Sequence, residues 1–330
     1  METLDGRTVD DDTAAELAVL ATHGLAEALP DDPPYPTEEM LAELRHGPAD
    51  VDQRLWLERE GADLVGAAFL EVENRITNRH IAFAWVDVHP DHRRRGLGSR
   101  LLEAAMGEAT GLGRTMVLSF AAPGTSGEAF LLAQGAEPVL AEDLNRLAVA
   151  EVDPALLGAW SVPVPGYSLV EVDDPCPDAL LRAFADLMAV MNDAPMAEGV
   201  EDIVVTPEEV RLKEASRAAA GKSRLALVAR HDETGELAGL TEFFLSRARP
   251  WLAHQGDTGV RREHRRHGLG RWLKAANLQR LLATFPAVTT VETENATDNE
   301  AMLAINLALG FRPATTWIEH RLPSPVIMEA

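Results

Sequence analysis

One short sequence occurs twice in this chain. HRRRGLGSRLL begins at His92 and HRRHGLGRWLK begins at His264, so that Arg93 and Arg265 are 172 positions apart in a chain of 330 residues. Each copy follows an apolar run and opens a segment with helical spacing. A recurrence at just over half the chain length, in matching surroundings, is typical of a tandem duplication. We therefore predict two copies of one folded unit rather than a single continuous core.

The segments around the two copies follow the same order, with two helices and three apolar strand-like runs before the copy and a helix, a strand, a helix and a strand after it. In the first half these are 11–29, 37–45, 52–58, 63–72, 80–88, 97–110, 114–120, 126–136 and the run to Val149. In the second half they are 177–192, 206–220, 224–230, 236–246, 251–260, 269–285, 288–293, 299–311 and 315–322. The pattern predicts two tandem α/β units, each a mostly antiparallel mixed sheet flanked by helices, with one further strand ahead of the two opening helices.

Proline-rich residues between the halves indicate where the units join. WSVPVPGY occupies 160–167, and such a stretch is typical of a connection rather than of a helix or strand. We predict an N-terminal domain at 1–150, a linker at 151–166 and a C-terminal domain at 167–330.

Charge and composition exclude several classes of protein. The formal net charge is -23, which disfavours binding to the phosphates of nucleic acid. The sequence has no apolar run of membrane-spanning length and no leader-like start, and its one cysteine, Cys176, allows neither an internal disulfide nor a cysteine metal cluster. No other spacing suggests a metal site. We predict a cytoplasmic protein that binds neither nucleic acid nor membrane; a homodimer is left open.

The repeated turn has the composition of an anion site. Glycines let the backbone approach a ligand closely, and the free N–H groups at the start of a helix attract negative charge. Arg93 and Arg265 are expected either to fix the turn or to contact the anion. The alternative is an ordinary turn that begins a helix, which is less plausible for two copies in matching contexts.

Both copies resemble the acetyl-CoA signature of the GNAT N-acetyltransferases, V-x-P-x-x-R-x-x-G-x-G. The sequence reads VHPDHRRRGLG at 88–98 and VRREHRRHGLG at 260–270, with Arg262 where the family has proline. The resemblance extends over nearly the whole chain. It is greatest to tandem actinobacterial members and more distant to the mycothiol synthases.

The resemblance implies acetyl-CoA as the cofactor and assigns its contacts. The turn residues would hold the pyrophosphate: Val88, Arg93, Arg94, Arg95, Gly96, Leu97 and Gly98 in the first half, and Val260, Arg265, Arg266, His267, Gly268, Leu269 and Gly270 in the second. Asn299 would contact the pantetheine arm, which lies between the splayed ends of the fourth and fifth strands. The backbone N–H of Thr258 would hold the acetyl carbonyl.

The second half carries the candidate general bases. Family members often place a Glu or His on the fourth strand six residues before the motif valine, which here is His254. Strand alternation predicts that His254 shares a face with Thr258 and that Asp257 is out of phase unless a bulge reorients it. Glu292 and Glu294 on the fifth strand are alternative bases. A half-buried structural histidine and solvated carboxylates are the alternatives without chemistry.

The usual acid of the family, a tyrosine on the last helix, is replaced by Asn306. An asparagine can donate a hydrogen bond to sulfur but cannot release a proton at neutral pH, so water, or departure as the free thiolate, is expected instead. The corresponding first-half positions hold Ala82 for the base and Leu131 for the acid. We therefore predict that the second half is catalytic and the first is not, with CoA binding by the first left open.

The predicted function is transfer of an acetyl group from acetyl-CoA to a primary amine of a small cationic molecule. The acidic segments 28–40 and 192–209, where this family builds its acceptor site, suit such a substrate, although acidity can also serve solubility alone. The alternative function is a non-catalytic acyl-CoA-binding or regulatory module.

Overall fold

The computed structural model describes residues 1–323, which form two compact units. Of these residues, the first unit contains 1–141, 197–199 and 315–323. The second unit contains residues 142–196 and 200–314. The division therefore differs from the predicted boundaries at 150 and 166, because each unit includes a segment that the repeat assigns to the other half.

The helices and strands follow the predicted order in both halves. The first half contains β1 (Glu2–Asp5), α1 (Asp11–Leu25), α2 (Thr37–His46), β2 (Val51–Glu60), β3 (Asp63–Glu73), β4 (Ile81–Val88), α3 (Leu97–Gly111), β5 (Met116–Ala121), α4 (Ser126–Ala133) and β6 (Glu137–Ala148). After α5 (Pro154–Trp160), the second half contains β7 (Tyr167–Glu171), α6 (Asp178–Leu187), α7 (Pro207–Ala219), β8 (Lys222–His231), β9 (Leu237–Ser246), β10 (Leu252–Val260), α8 (Leu269–Thr284), β11 (Thr290–Ala296), α9 (Glu300–Leu309) and β12 (Arg312–Leu322). The predicted fold class, two repeated mixed α/β units, is confirmed.

The last strand of each half is found in the sheet of the other unit. The strand order is β1-β2-β3-β4-β5-β12 in the first unit and β6-β11-β10-β9-β8-β7 in the second. Ile318 of β12 pairs with Ala121 of β5, and Leu144 of β6 pairs with Glu294 of β11. Neighbouring strands are antiparallel except for the parallel pairs β4–β5 and β10–β11. This strand exchange explains why the units do not end where the repeats end.

The helices bury one apolar face against their own sheet. In the first unit, Leu101 and Ala105 of α3 are fully buried beside Leu70 of β3. In the second, Leu278 and Leu281 of α8 pack with Phe243 of β9. This packing fixes the starts of α3 and α8 at the ends of β4 and β10, where the repeated turns lie.

Residues 151–166, predicted as a linker, include a helix of the second unit. The Asp153 side chain accepts a hydrogen bond from the Ala155 N–H at 2.9 Å and caps α5. Leu157 of that helix is buried in the same apolar cluster as Leu147 and Leu278. Pro154 lies at the first turn of this helix, and the proline-rich residues that follow it, 161–166, are in neither helix nor strand.

Within residues 1–323, no helix combines the length and the apolar character needed to cross a lipid bilayer.

Candidate active site

Both glycine-rich turns have the same backbone conformation. Arg94 and Gly96 have φ angles of 63° and 75°, and Arg266 and Gly268 have 68° and 84°. This left-handed region is uncommon for side chains larger than glycine. Gly96 and Gly268 occupy the N-cap positions of α3 and α8 without a side-chain cap, so the first N–H groups of each helix are left for an anion.

Arg93 and Arg265 brace the turns. Each donates a hydrogen bond from Nε to the carbonyl of the valine that ends the preceding strand, Val88 or Val260, at 3.0 Å. Each also binds a carboxylate, Glu27 for Arg93 and Asp193 for Arg265. Of the two roles predicted for these arginines, the structure therefore supports the one that fixes the turn.

Arg262, which replaces the family's proline, joins the same ion-pair cluster. Its Nε lies 2.9 Å from Asp193 Oδ1, and hydrogen bonds from Arg262 and then Arg265 hold the pKa of Asp193 below its ordinary value. The arginine therefore binds the carboxylate that braces the turn.

The remaining predicted turn residues differ in whether their side chains or only their backbones can reach a bound anion. Leu97 and Leu269 are buried in the cores, so only their backbones can face an anion. Arg95 donates to the Asp91 carbonyl at 3.0 Å, and the His267 ring lies 5.9 Å from the Tyr167 ring, centroid to centroid.

The fourth and fifth strands of each unit separate beyond a short paired stretch. In the second unit, β10 and β11 pair only from Leu252 with Thr290 to His254 with Glu292. In the first, β4 and β5 pair only over 81–83 with 116–118. The splayed ends predicted from the resemblance are therefore present in both units, beside the glycine turns.

A β-bulge interrupts β10 immediately after the splay begins. Gln255 pairs with Phe243 and Thr258 pairs with Thr241 of β9, which leaves one extra residue on β10 between them. Because the bulge shifts the alternation by one, His254 and Thr258 lie on opposite faces of the sheet. The prediction that these two residues share a face is wrong, and Asp257 is brought to the face of His254.

His254 lies in a row of three ionisable side chains on one face of the sheet. Its Nδ1 lies 3.9 Å from Glu292 Oε1, and Glu292 Oε2 lies 3.4 Å from Arg146 Nη2. Burial lowers the pKa of His254, although Glu292 opposes the shift. The imidazole is therefore neutral at neutral pH and able to accept a proton.

A cavity of about 280 Å³ opens beside His254 between α6, α7 and the sheet. Its apolar lining includes Phe184, Val210 and Phe244, and its polar lining is Lys213, Arg217, Arg224, Glu242, His254 and Asp257. The sequence reasoning missed Glu242, Lys213 and the two arginines, because nothing in an alternating strand or an amphipathic helix distinguishes a cavity from solvent.

The two carboxyl groups of the cavity are poorly solvated. Burial, and then the charge of Asp257, raises the pKa of Glu242 to about 7, against the opposing effect of Arg224. Burial also raises the pKa of Asp257. Arg217 and Arg224 are both held by Asp174, at 2.5 and 2.8 Å, and Arg224 Nη1 also lies 3.4 Å from Glu242 Oε2.

Glu294 lies on the same face of β11 as Glu292, two residues further along. Removal of its carboxyl from water, with the charges of Glu142 and Glu292, raises the pKa of Glu294 to about 7, although part of the residue remains exposed. Glu294 therefore remains an alternative base. Along β11 it lies further from His254 than Glu292 does.

Asn306 lies on the opposite face and belongs to a buried polar chain. Its Oδ1 accepts a hydrogen bond from Lys274 Nζ at 2.8 Å, and its Nδ2 donates to Asn295 Oδ1 at 2.6 Å. Lys274 was missed by the sequence reasoning, because a lysine in an amphipathic helix normally points to solvent. Asn299 caps α9, where its Oδ1 accepts from the Met302 N–H at 3.3 Å.

Within residues 1–141, the positions that match His254 and Glu292 hold no ionisable side chain. Its β4 pairs with β3 without a register shift from Gly66 with Val88 to Glu71 with Phe83, so it lacks the bulge. In the pairing of β4 with β5, Phe83 rather than Ala82 occupies the position that His254 has in the pairing of β10 with β11. Leu118, the partner of Phe83, occupies the position of Glu292. Phe83 stacks on Phe120 at 6.0 Å.

Comparisons with known proteins agree with this geometry. The model of the acetyltransferase (GNAT) family matches residues 22–131 and 193–311. A mycothiol acetyltransferase of Saccharomonospora viridis is 39% identical over 110 residues, and that match spans only 33% of this chain and 32% of the relative.

Two solved structures resemble the chain over almost its whole length. A tandem GNAT protein from the clavulanic acid biosynthesis pathway has a TM-score of 0.81 and 31% identity, with 98% of both chains covered. A GCN5-related N-acetyltransferase from Sphaerobacter thermophilus has a TM-score of 0.70 and 17% identity, with 97% of this chain and 95% of that chain covered. The second likeness supports the fold alone.

Proposed function

Because the chain belongs to the GNAT family of acetyltransferases, we propose that its second unit transfers the acetyl group of acetyl-CoA to the primary amine of a small, cationic molecule. The observation that carries this proposal is the bulge on β10. It brings His254 and Asp257 onto one cavity wall where β10 and β11 separate, and the first unit has no such bulge.

The residues present fit acetyl-CoA. The open N-terminus of α8 and the glycine turn suit the pyrophosphate, and the gap between β10 and β11 suits an extended arm that lies beside a strand. The thioester supplies an activated acetyl group and a thiolate leaving group. Thr258 is paired in the ladder with Thr241, whereas Gly256 and Asp257 have no ladder partner. We therefore assign the acetyl carbonyl to the bulged peptide groups instead of Thr258.

His254 is proposed as the general base. An amine reaches the site as an ammonium ion and must lose a proton before its nitrogen attacks the thioester carbon. The neutral imidazole of His254 accepts that proton directly or through water, and Glu292 at 3.9 Å stabilises the imidazolium that results. The carbon–sulfur bond then breaks, and its electron pair leaves with the sulfur.

Glu242 and Asp257 are proposed to select the acceptor. A bound ammonium group would favour the charged forms of these two carboxyl groups, whose pKa values burial has raised against the opposing effects of Arg224 and Lys213. The cavity, at about 280 Å³, limits the acceptor to a small molecule. The first unit is proposed to bind CoA through its matching turn without turnover.

The test is thiol release from acetyl-CoA in the presence of polyamines, amino sugars, amino acids and neutral amines. We expect release only with a cationic amine, with loss of activity in Gly268→Asp and retention in the matched first-unit variant Gly96→Asp. Acetyl-CoA binding without release for any amine would contradict the proposal and favour a non-catalytic binding module. Loss of activity in Gly96→Asp alone would assign the chemistry to the first unit.

A further inference from the structure

A lysine lies where the core of the second unit would be expected to hold an apolar side chain. Lys274 is 1% exposed and is the sixth residue of α8, about 7.5 Å along the helix from its start at the glycine turn. Its Nζ lies 2.8 Å from Asn306 Oδ1 and 5.9 Å from the centre of the Phe311 ring. Among residues 1–323, no carboxylate pairs with it, and burial alone lowers the pKa of Lys274, to about 7.

The hydrogen bond from Lys274 fixes which way the Asn306 carboxamide points. A lysine amine in this position donates, so Asn306 turns its oxygen to α8 and its nitrogen to β11, where Asn295 accepts at 2.6 Å. A carboxamide nitrogen has two N–H groups. One of them is used by Asn295, and the other is left for a further acceptor.

This polar chain lies across the sheet from the proposed base. Asn295 alternates with Glu292 and Glu294 along β11, so its side chain faces α8 and α9 while Glu292 faces His254. The splayed gap between β10 and β11 separates the two sets. A thioester held in that gap would have the base on one side and Asn306 on the other.

We propose, on the premise of the function proposed above, that Lys274 is a positioning residue for thiolate release in the second unit. It fixes the Asn306 carboxamide with its remaining N–H toward the cofactor sulfur, and its positive charge offsets the negative charge that the sulfur acquires when the carbon–sulfur bond breaks. The sulfur leaves as the thiolate, and neither Lys274 nor Asn306 transfers a proton.

The first unit shows that the fold does not require this polar chain. Each member of the polar chain has a counterpart in the first unit at the same distance from a shared landmark. Lys274 corresponds to Leu102, counted from the turn arginine, and Asn306 corresponds to Leu131, counted from the glycine after the last helix. Asn295 corresponds to Ala121, counted from the first residue pair between the fourth and fifth strands. All three are buried in the first apolar core. A lysine buried without a carboxylate partner costs stability, so the presence of one in the second unit and not at the matching position of the first points to a role in chemistry.

The test compares CoA with desulfo-CoA, which lacks the sulfur, by calorimetry. Both proteins in the comparison carry Gly96→Asp, so that only the second unit binds CoA. One has Lys274 and the other has Lys274→Met. We expect Lys274→Met to weaken CoA binding by about 2- to 10-fold, the range for a hydrogen bond to a neutral group such as the CoA thiol, and to leave desulfo-CoA binding unchanged. The value of kcat should fall more than the KM for acetyl-CoA rises.

Two further variants separate this role from a purely structural one. Lys274→Met with Asn306→Leu reproduces the apolar pair of the first unit, so it should fold and show the same selective loss for CoA. Leu102→Met, at the matching position of the first unit, should leave the ratio of the two affinities unchanged. Equal weakening of CoA and desulfo-CoA, or no change in either, would overturn the role at sulfur. Failure of the unsubstituted second unit to bind CoA would overturn the proposed function, and this role with it.

Discussion

Burial has shifted the pKa values of several residues around the proposed thioester site. His254 keeps 39% of its side chain exposed, yet desolvation still lowers its pKa, and Glu242 on the same cavity wall has its pKa raised to about 7. Both shifts favour neutral forms near neutral pH. At neutral pH the His254 imidazole is therefore free to accept a proton, although its lowered pKa makes it a weaker base than a solvated imidazole.

His254→Ala should reduce turnover by about 10²–10⁴-fold, the usual loss for a general base. Acetyl-CoA affinity should change little, because the residue lies away from the glycine turn. In the wild type, activity should fall on the acid side as His254 becomes protonated below pH 6.5, and the variant should lose this dependence.

Glu292→Gln is the companion variant, because it keeps the shape of the side chain and removes its charge. A modest loss is expected if Glu292 only stabilises the imidazolium. Full activity in His254→Ala combined with inactivity of Glu292→Gln or Glu294→Gln would assign the base to β11.

Asp87 offers a test of burial in the first unit. Burial raises its pKa from 3.8 to about 7, although Arg93 opposes the shift. Above pH 4 the unfolded chain releases this proton before the folded chain does, so the wild type loses stability as pH rises toward 7 and above. Asp87→Asn cannot ionise and should be more stable than wild type by roughly 1–3 kcal/mol at pH 8, with little difference at pH 4. Urea unfolding at the two pH values checks this, and an equal difference at both would refute it.

Among the elements, β10 differs most from its counterpart, because one extra residue changes which side chains meet. The bulge leaves no room for a larger residue at its glycine: a Cβ on Gly256 would lie 2.5 Å from Cε2 of Phe244, which lines the cavity. The shape of the acceptor cavity therefore depends on a single missing methyl group.

Gly256→Ala should destabilise the protein by about 1–3 kcal/mol and raise the KM for the amine more than that for acetyl-CoA, because the Phe244 ring must move. Gly107→Ala is the control. Gly107 lies inside α3 with nothing within 4 Å of an added Cβ, so the change should stabilise by about 0.5–1 kcal/mol without kinetic effect. Equal kinetic effects of both changes would refute the role given to the bulge.

Element order was predictable from the sequence because each helix and strand carries its own periodicity. The bulge was not predictable from the sequence. The residues of β10 fit an uninterrupted strand alternation, and nothing in that pattern marks Gly256 and Asp257 as unpaired. Lys274 was not predictable either: α8 is buried over a wide face, from Leu269 to Leu281, which a two-sided pattern does not reveal. The absence of a candidate base and acid in the first half, by comparison, depends only on residue types and was predictable from the sequence.

For the whole molecule, the strand exchange decides which unit a substitution affects. Leu322 of β12 is buried in the first unit's core together with Leu131 and Ala136, whereas Leu147 of β6 is buried in the second unit's core. Sequence position alone assigned Leu322 and Leu147 to the other unit. Strand periodicity could not show this, because β6 and β12 are repeats of one strand.

Leu322→Ala should destabilise the first unit by about 2–5 kcal/mol, the usual cost of truncating a buried leucine, and Leu147→Ala should destabilise the second unit similarly. Native-state hydrogen exchange resolves the two effects. We expect lost protection at β5 in Leu322→Ala and at β11 in Leu147→Ala. The reverse pattern would mean that each strand stabilises the half in which it is encoded.

The exchanged strand also orders events during synthesis. A ribosome makes residues 1–141 before it makes β12, whose residues pair with β5 in the sheet of the first unit. The nascent first unit therefore presents an open edge at β5 until β12 has emerged, at a stage when unpaired edges favour aggregation. A premature stop codon ahead of β12 would remove a strand from a unit whose other strands had already been translated.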